Sequence, residues 1–270
     1  MDETKIRTFL KKSFNDRQDK ISGLVHDDAV ASMGIRCFKS LDSTNAYAKD
    51  WLKSYIRLPA LVLADLQTQG RGRLGRSFFS PSGGLYLSMI VDCKGIKPGM
   101  LTTLAAVSVL EAAKAMQLPQ LQIKWVNDIL LQRKKVGGIM AEGISSKGEL
   151  TSAVIGIGLN TADVQFPIEI EQRAGTLQAE GLAIDRERFA ALIFSHFLVN
   201  LPEIPSHMSM YRQNCVNIGQ QLRFEQKGIV YFGRCEDVDD NGGLLVQTED
   251  GLMRLEAGEV SIRSAAGDYI

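Results

Sequence analysis

The sequence is poor in the residues that mark metal-bound or disulfide-stapled proteins. Its four cysteines, Cys37, Cys93, Cys215 and Cys235, form no C-x-x-C pair, and His26, His196 and His207 show no metal-ligand spacing. With 270 residues, 45% of them apolar, the chain can bury a core without disulfides, so packed thiols in a reduced, cytoplasmic protein are expected. No apolar run approaches the ~18 residues of a membrane-spanning helix. The opening MDETKIRTFLKKSF carries charges where a secretory signal requires an apolar stretch. Net charge is missing too: 31 basic side chains face 31 acidic ones. That balance argues against a surface built wholly for nucleic acid or anionic membrane. What remains is one large domain, or a large domain with a small companion.

Residues 1–33 are mostly charged, with one short amphipathic stretch (Ile6, Phe9, Leu10, Phe14), too little for a complete winged helix-turn-helix. Asp42-Ser43-Thr44-Asn45 supplies helix-capping types ahead of Tyr47, Trp51 and Leu52. Leu61–Ala64 and Leu85–Val91 read as buried strands, and Pro98 opens a helix carrying Leu101, Leu104, Ala105, Ala112 and Met116. Strand-like pieces follow at 123–125, 129–131, 136–141 and 153–159, then a helix over 186–200. Past Pro202 and Pro205, short runs punctuated by Gly228, Asn241-Gly242-Gly243, Asp250-Gly251 and Gly258 predict a small all-β module. The expected class is an α+β body with a C-terminal β module, divided as 1–33, 34–216 and 217–270.

The sharpest local feature is Gly70-Arg71-Gly72-Arg73-Leu74-Gly75-Arg76-Ser77, inside a stretch from Leu66 to Val91 that has no acid. Glycines let backbone N–H groups approach an anion, and guanidinium forks match phosphate or carboxylate oxygens. A P-loop is rejected, because Arg76 stands at the required lysine and the following Phe78-Phe79-Ser80-Pro81 cannot open a helix. An RNA-binding Arg-Gly tract, a phosphate-binding substrate loop and a plain solvated loop stay open.

Four further places bear on the choice. Lys124-Trp125-Val126-Asn127-Asp128 sets an ammonium, an amide and a carboxylate at one turn, suited to phosphate with Mg²⁺ or to a simple Asn-Asp hairpin. Arg133-Lys134-Lys135 precedes two strand glycines, as an inward cation or a solvated run. Gly156-Ile157-Gly158-Leu159-Asn160 is a strand a ligand can approach, but Thr161 breaks the dinucleotide fingerprint. Ser43, Thr44 and Asn45, with Gln67, offer the paired donors and acceptors that a neutral ureido group needs, unless they only cap a helix.

The ordered set of Ser43-Thr44-Asn45, Gln67, Gly70-Arg71-Gly72-Arg73 with Gly75-Arg76, Lys124-Trp125 with Asn127-Asp128, Lys135 with Gly138, Gly156 with Gly158 and Asn160, and Gly258–Arg263 resembles the biotin protein ligases. The resemblance runs from about residue 35 to the C-terminus. It implies a mixed β-sheet catalytic domain of the biotin/lipoate ligase type followed by a small SH3-like β-barrel. It also implies a two-step reaction: biotin and ATP give biotinyl-5′-AMP, whose acyl group passes to a lysine of a biotin carboxyl carrier domain.

By the same resemblance, Ser43, Thr44, Asn45, Gln67, Gly70, Arg71, Gly72, Arg73 and Lys135 bind biotin. Arg73, Arg76, Lys124, Trp125, Asn127 and Asn160 take ATP and the adenylate. Lys135 and Arg73 are the expected catalytic cations, and Asp128 the ligand of the Mg²⁺ that accompanies ATP. The expected partners are biotin, ATP and the carrier protein, without nucleic acid or membrane, and a homodimer is compatible with the family. A DNA-binding N-terminus is not expected. The sequence departs from the family at Val126 (often proline), at Leu74 (often arginine) and near Gln172-Arg173-Ala174, where some members carry a tryptophan by adenine. The alternatives are a lipoate-type ligase, which shares the fold, and a nucleic-acid-binding protein using the Arg-Gly loop.

Overall fold

The computed structural model describes residues 1–16, 27–146, 149–178, 183–226, 228–256 and 262–264. Of the motif at Gly258–Arg263, residues 258–261 lie outside that set. Seven strands form one mixed sheet: β1 (Gly34–Phe38), β2 (Ala60–Ala64), β3 (Leu85–Asp92), β4 (Gln122–Lys124), β5 (Asp128–Leu131), β6 (Lys134–Ser146) and β7 (Glu149–Leu159). Their order is β1-β2-β3-β7-β6-β5-β4, with β1 and β2 parallel and the remaining neighbours antiparallel.

Alternation along the central strands sends side chains to two different layers. Leu61, Leu63, Leu87, Met89, Ile155 and Ile157 belong to the main core with helices α4 (Pro98–Ala115) and α5 (Arg186–Asn200). On the opposite face Val62, Ile90 and Val154 pack with Ala48 of α3 (Thr44–Leu52). Pro98 stands in the first turn of α4, where its missing N–H costs nothing, and most of that helix is buried. Ser43 caps α3 by accepting from Ala46 N.

The N-terminal residues join the same core. Helix α1 (Glu3–Asn15) buries Ile6, Leu10, Ser13 and Phe14 along one stripe, and it packs on α5. The Ser13 and Ser195 hydroxyls lie 2.6 Å apart across that contact. A short helix, α2 (Asp27–Ser32), precedes β1, and Arg7 of α1 donates to the Val30 and Met33 carbonyls.

Helix α6 (Met208–Asn214) leads into the C-terminal strands β8 (Gln221–Gln226), β9 (Ile229–Val238), β10 (Leu244–Thr248), β11 (Gly251–Leu255) and β12 (Ile262–Ser264). They form an antiparallel sheet, ordered β11-β10-β9-β8-β12, in keeping with the small all-β module read from the turn spacing. In the β9–β10 turn, Asp239 accepts from Asn241 N and Gly243 N, and Gly242 takes a positive φ of 80°. The carbonyl of Gly242 accepts from Trp125 Nε1 at 2.9 Å, which ties this sheet to the β4–β5 connection. No helix among the described residues is long and apolar enough to cross a membrane.

Candidate active site

At the N-terminus of α3 its face of the sheet opens into a cavity of about 450 Å³. The strands supply a floor with few side chains: Gly138 and Met140 from β6, Gly156 and Gly158 from β7. Two of these glycines are sterically required. A Cβ at Gly156 would stand 2.1 Å from Asn45 Oδ1, and one at Gly158 would stand 2.6 Å from the Phe78 ring. The start of α3, the loop around Arg71–Phe79, the β4–β5 turn and residues 166–174 complete the walls.

Of the residues that the sequence pointed to, Ser43, Thr44, Asn45, Gln67, Arg71, Gly72, Arg73, Arg76, Lys124, Trp125, Asn127, Asp128, Lys135 and Asn160 all line this one cavity. Gly70 stands behind the wall, where a Cβ would meet Phe78 O at 2.3 Å and Ser80 Oγ at 2.4 Å. Residues separated by as much as 117 positions are therefore gathered by the sheet order, which brings β3, β7 and β6 side by side beneath the loops.

One end of the cavity is a closed hydrogen-bond network. Thr44 donates to Gln67 Oε1 through its backbone N (2.8 Å) and its hydroxyl (3.0 Å). Gln67 Nε2 donates to Ser80 Oγ, which in turn donates to Phe78 O. Ser88 Oγ lies 2.9 Å from Thr44 Oγ1 and 2.6 Å from Asn45 Oδ1. Asn45 Nδ2 donates to Glu142 Oε2 at 2.9 Å, and Lys49 Nζ donates to the other carboxylate oxygen at 2.8 Å. Both ends of the Asn45 amide are thus bonded within the protein, and Thr44, Asn45 and Gln67 of this network line the cavity.

The other end is cationic. Arg71, Arg73, Arg76, Lys124, Lys135 and Arg173 line it against one carboxylate among the described residues, Asp128. Lys135 Nζ donates to Asp128 Oδ1 at 2.5 Å and lies 6.0 Å from the centre of the Phe78 ring. Arg73 Nη1 donates to Asn127 Oδ1 at 3.0 Å, while its Nη2 is buried without a partner among the described residues. Burial pulls the Arg73 guanidinium below its usual pKa, Asp128 works the other way, and Arg76 adds to the depression. Leu74, next to it, takes φ 56° in a short 3₁₀ turn, and 61% of its surface is exposed.

The Lys124–Asp128 connection is fixed from behind. Trp125 N donates to Asn217 Oδ1 and Tyr211 OH donates to Val126 O, and the Trp125–Val126 peptide is cis. Asn160 Nδ2 donates to Gly175 O, so this amide anchors the segment that carries Arg173 and Ala174. No aromatic residue stands at 172–174, but Phe166 lines the cavity and meets Phe79 edge-on at 6.2 Å. Sequence reasoning missed Ser80, Ser88, Lys49, Glu142, Phe166 and Arg173. Ser88 did carry a signal, being the one small polar side chain within the apolar run Leu85–Val91.

Comparison with known proteins agrees with this geometry. Residues 37–160 match the biotin/lipoate A/B protein ligase family, and residues 218–263 match the biotin protein ligase C-terminal domain. The bifunctional ligase/repressor BirA of Bacillus subtilis is 31% identical over 233 residues, which are 82% of this chain and 72% of that protein. The biotin–[acetyl-CoA-carboxylase] ligase of Mycobacterium tuberculosis is 30% identical over 253 residues, covering 88% and 90%. Among solved structures, the biotin protein ligase from Aquifex aeolicus in complex with biotin and ATP superposes with a TM-score of 0.75. It is 30% identical, and the match covers 86% of this chain and 99% of that one.

Proposed function

The chain belongs to the biotin protein ligases of the biotin/lipoate A/B protein ligase family, and from that premise we propose how its residues divide the work. In the first step a biotin carboxylate oxygen bonds to the α-phosphorus of ATP, and the bond to pyrophosphate breaks. In the second, a lysine amine of a biotin carboxyl carrier domain attacks the acyl carbon, and AMP leaves with the former carboxylate oxygen. Reduced thiols and an ATP requirement fit a cytoplasmic enzyme, and its four cysteines are free.

The observation that carries this reading is the asymmetry of the cavity. A neutral ureido head fits the end where hydrogen bonds are already ordered, and Ser43, Thr44, Asn45 and Gln67 would receive it. The valeryl carboxylate then points toward Lys135 and Arg73. There Nη2 of Arg73, buried and without a partner among the described residues, would donate to an acceptor oxygen. Two anions approach each other in this reaction, and fixed cations in a partly dry cavity lower that barrier without reorganising.

Arg76, Lys124, Trp125, Asn127 and Asn160 would border the nucleotide, Asn160 by holding the Gly175 segment in place. Magnesium would arrive with ATP, whose phosphates and water supply most of its oxygens. Asp128, the one carboxylate among the described residues of the wall, would hold it. The Arg71–Arg76 loop, with its glycines, would cover the adenylate against water until the carrier lysine arrives.

The test is exchange of ³²P-pyrophosphate into ATP, with biotin, lipoate or no acid added. Exchange with biotin alone is the expected result. Exchange with lipoate and not biotin would move the chain to the lipoate branch. Nucleic-acid binding with no exchange would overturn the enzyme reading.

A further inference from the structure

We propose that Asn217, which stands outside the cavity, is a positioning residue for its cationic end: it holds the turn between β4 and β5 so that Asn127 meets Arg73 where ATP needs them. The inference rests on the ligase reading above and deepens it on the nucleotide side. Asn217 is fully buried in the link between α6 and β8, 92 residues beyond Trp125.

The link runs along the β4 edge of the catalytic sheet. β4 is the last strand in the order, and Cys215 pairs with Ile123 in parallel, with Val216 N donating to Ile123 O at 2.9 Å. Two residues on, Trp125 turns its N–H to the same edge. There the side chain of Asn217 takes over from the backbone and accepts from Trp125 N at 2.6 Å. A backbone N–H only donates, so this contact identifies the amide oxygen. The Nδ2 end is then buried without a partner among the described residues, and the Cys215 thiol reaches Oδ1 only at 3.9 Å.

What the turn presents to the cavity depends on this hold. Trp125 and Val126 are buried, Tyr211 OH donates to Val126 O at 3.1 Å, and Trp125 Nε1 donates to Gly242 O at 2.9 Å. The contact with Asn217 is the shortest of the three. Toward the cavity, Asn127 O accepts from Ile139 N and Asn127 Nδ2 donates to Ile139 O, both at 2.9 Å, which leaves Oδ1 to Arg73 Nη1 at 3.0 Å. Without the Asn217 acceptor, Trp125 N would be buried with its hydrogen bond unmade, a costly state that the turn relieves by shifting. Asn127 is two residues along, so such a shift moves the oxygen that aims Arg73. The biotin-head residues are bonded through Ser80, Ser88 and Glu142 instead.

Steady-state pyrophosphate exchange reads the two ends of the cavity separately. Asn217→Ala is expected to raise the ATP KM about tenfold, the equivalent of one hydrogen bond lost to a charged group, and the biotin KM less than about twofold. Asn217→Asp keeps the acceptor and gives up no bond at Nδ2. Its ATP KM should return to within about threefold of the unchanged chain, although the buried carboxylate lowers its thermal midpoint below that of Asn217→Ala. A purely structural residue would order the two variants the other way, with activity following stability. Asn127→Ala removes the link to Arg73, so adding Asn217→Ala in that background should raise the ATP KM less than about twofold further. If Asn217→Ala does not fold, Asn217→Ser, whose side chain is one atom shorter than that of asparagine, carries the same expectations. An unchanged ATP KM in Asn217→Ala, both KM values rising together as the midpoint falls, Asn217→Asp no better than Asn217→Ala, or additive effects with Asn127→Ala would each overturn the proposal. Biotin-dependent exchange by the unchanged chain alongside any of these leaves the ligase reading standing. No exchange by the unchanged chain overturns both.

Discussion

Replacing Gly156 by alanine tests whether the network around Asn45 is as tightly held as its distances imply. The added Cβ would lie 2.1 Å from Asn45 Oδ1, 2.8 Å from Cγ and 2.9 Å from Nδ2. Ordinary contact between heavy atoms begins near 3.5 Å, so the amide must retreat by more than ~1 Å. It has nowhere to go without releasing Ser88, at 2.6 Å, and Glu142, at 2.9 Å. A neutral hydrogen bond contributes about 1 kcal/mol and one to a charged group about 1.5–3 kcal/mol. With some repacking recovered, a loss of about 3 kcal/mol is expected.

Urea denaturation measures that loss, and titration calorimetry with biotin measures the effect on the head pocket, which should weaken by at least tenfold. Gly75→Ala is the control. Its Cβ would meet nothing within 4 Å, so only its left-handed φ of 72° opposes the change, at a cost of about 1 kcal/mol. A loss below ~1 kcal/mol for Gly156→Ala, with biotin affinity unchanged, would refute the crowding argument.

Three further outcomes are expected. Lys135→Met should cut pyrophosphate exchange by about 10²–10³-fold while the circular dichroism spectrum is retained, since it removes a fixed cation from the reacting end; unchanged exchange would take Lys135 out of the reaction. Leu10→Ala should destabilise the whole protein by about 2–5 kcal/mol in the same cooperative transition, because that side chain is fully buried in the common core; a separate early transition would mean that α1 is not part of the body. His207 should make stability depend on pH. Thr103 donates its proton to Met100 O, so His207 Nε2–H donates to Thr103 and the buried Nδ1 has no partner among the described residues. Burial lowers its pKa from 6.5 to about 4. The unfolded chain therefore takes up the proton first: stability is complete above pH ~6.5 and falls by up to ~3 kcal/mol as pH drops toward 4. Urea titrations in that window should lose this slope in His207→Gln.

What the sequence made legible follows a physical division between local and long-range causes. The helix at Arg186–Asn200 and the strands at Ala60–Ala64 and Leu85–Asp92 were readable because each carries its own periodicity and its own stops. The cationic loop was readable because an acid-free stretch with three arginines is a local anomaly. Helix α1 was not, since Ile6, Leu10 and Phe14 are too few to specify a fold until α5 supplies the other half of their contact. The same holds within the site. Thr44, Asn45 and Gln67 stood out as a motif, but Glu142 is one acid in a strand until β6 is laid beside β7 and under α3. Trp125 likewise depends on Asn217 and Gly242, about ninety residues and more along the chain.

The two ends of the cavity are finished differently, and the difference follows from the charge of what each must hold. A neutral ureido group exchanges hydrogen bonds with water for hydrogen bonds with protein, so its gain is small unless the receiving groups are already oriented. Thr44, Gln67 and Ser88 are oriented, each by a partner that is itself held. An anion brings far stronger interactions, and the protein can leave a donor waiting for it. Burial of Arg73, whose Nη2 has no partner among the described residues, costs stability, and Asp128 and Asn127 offset part of that cost. An incoming carboxylate or phosphate oxygen recovers the remainder on binding, and only a ligand carrying that charge does so. Neutrality of the whole chain, 31 against 31, is therefore compatible with a site where six cations face one acid. Acids of the C-terminal module such as Glu236, Asp237 and Asp240 balance the sum, and the last two are already engaged by Arg212.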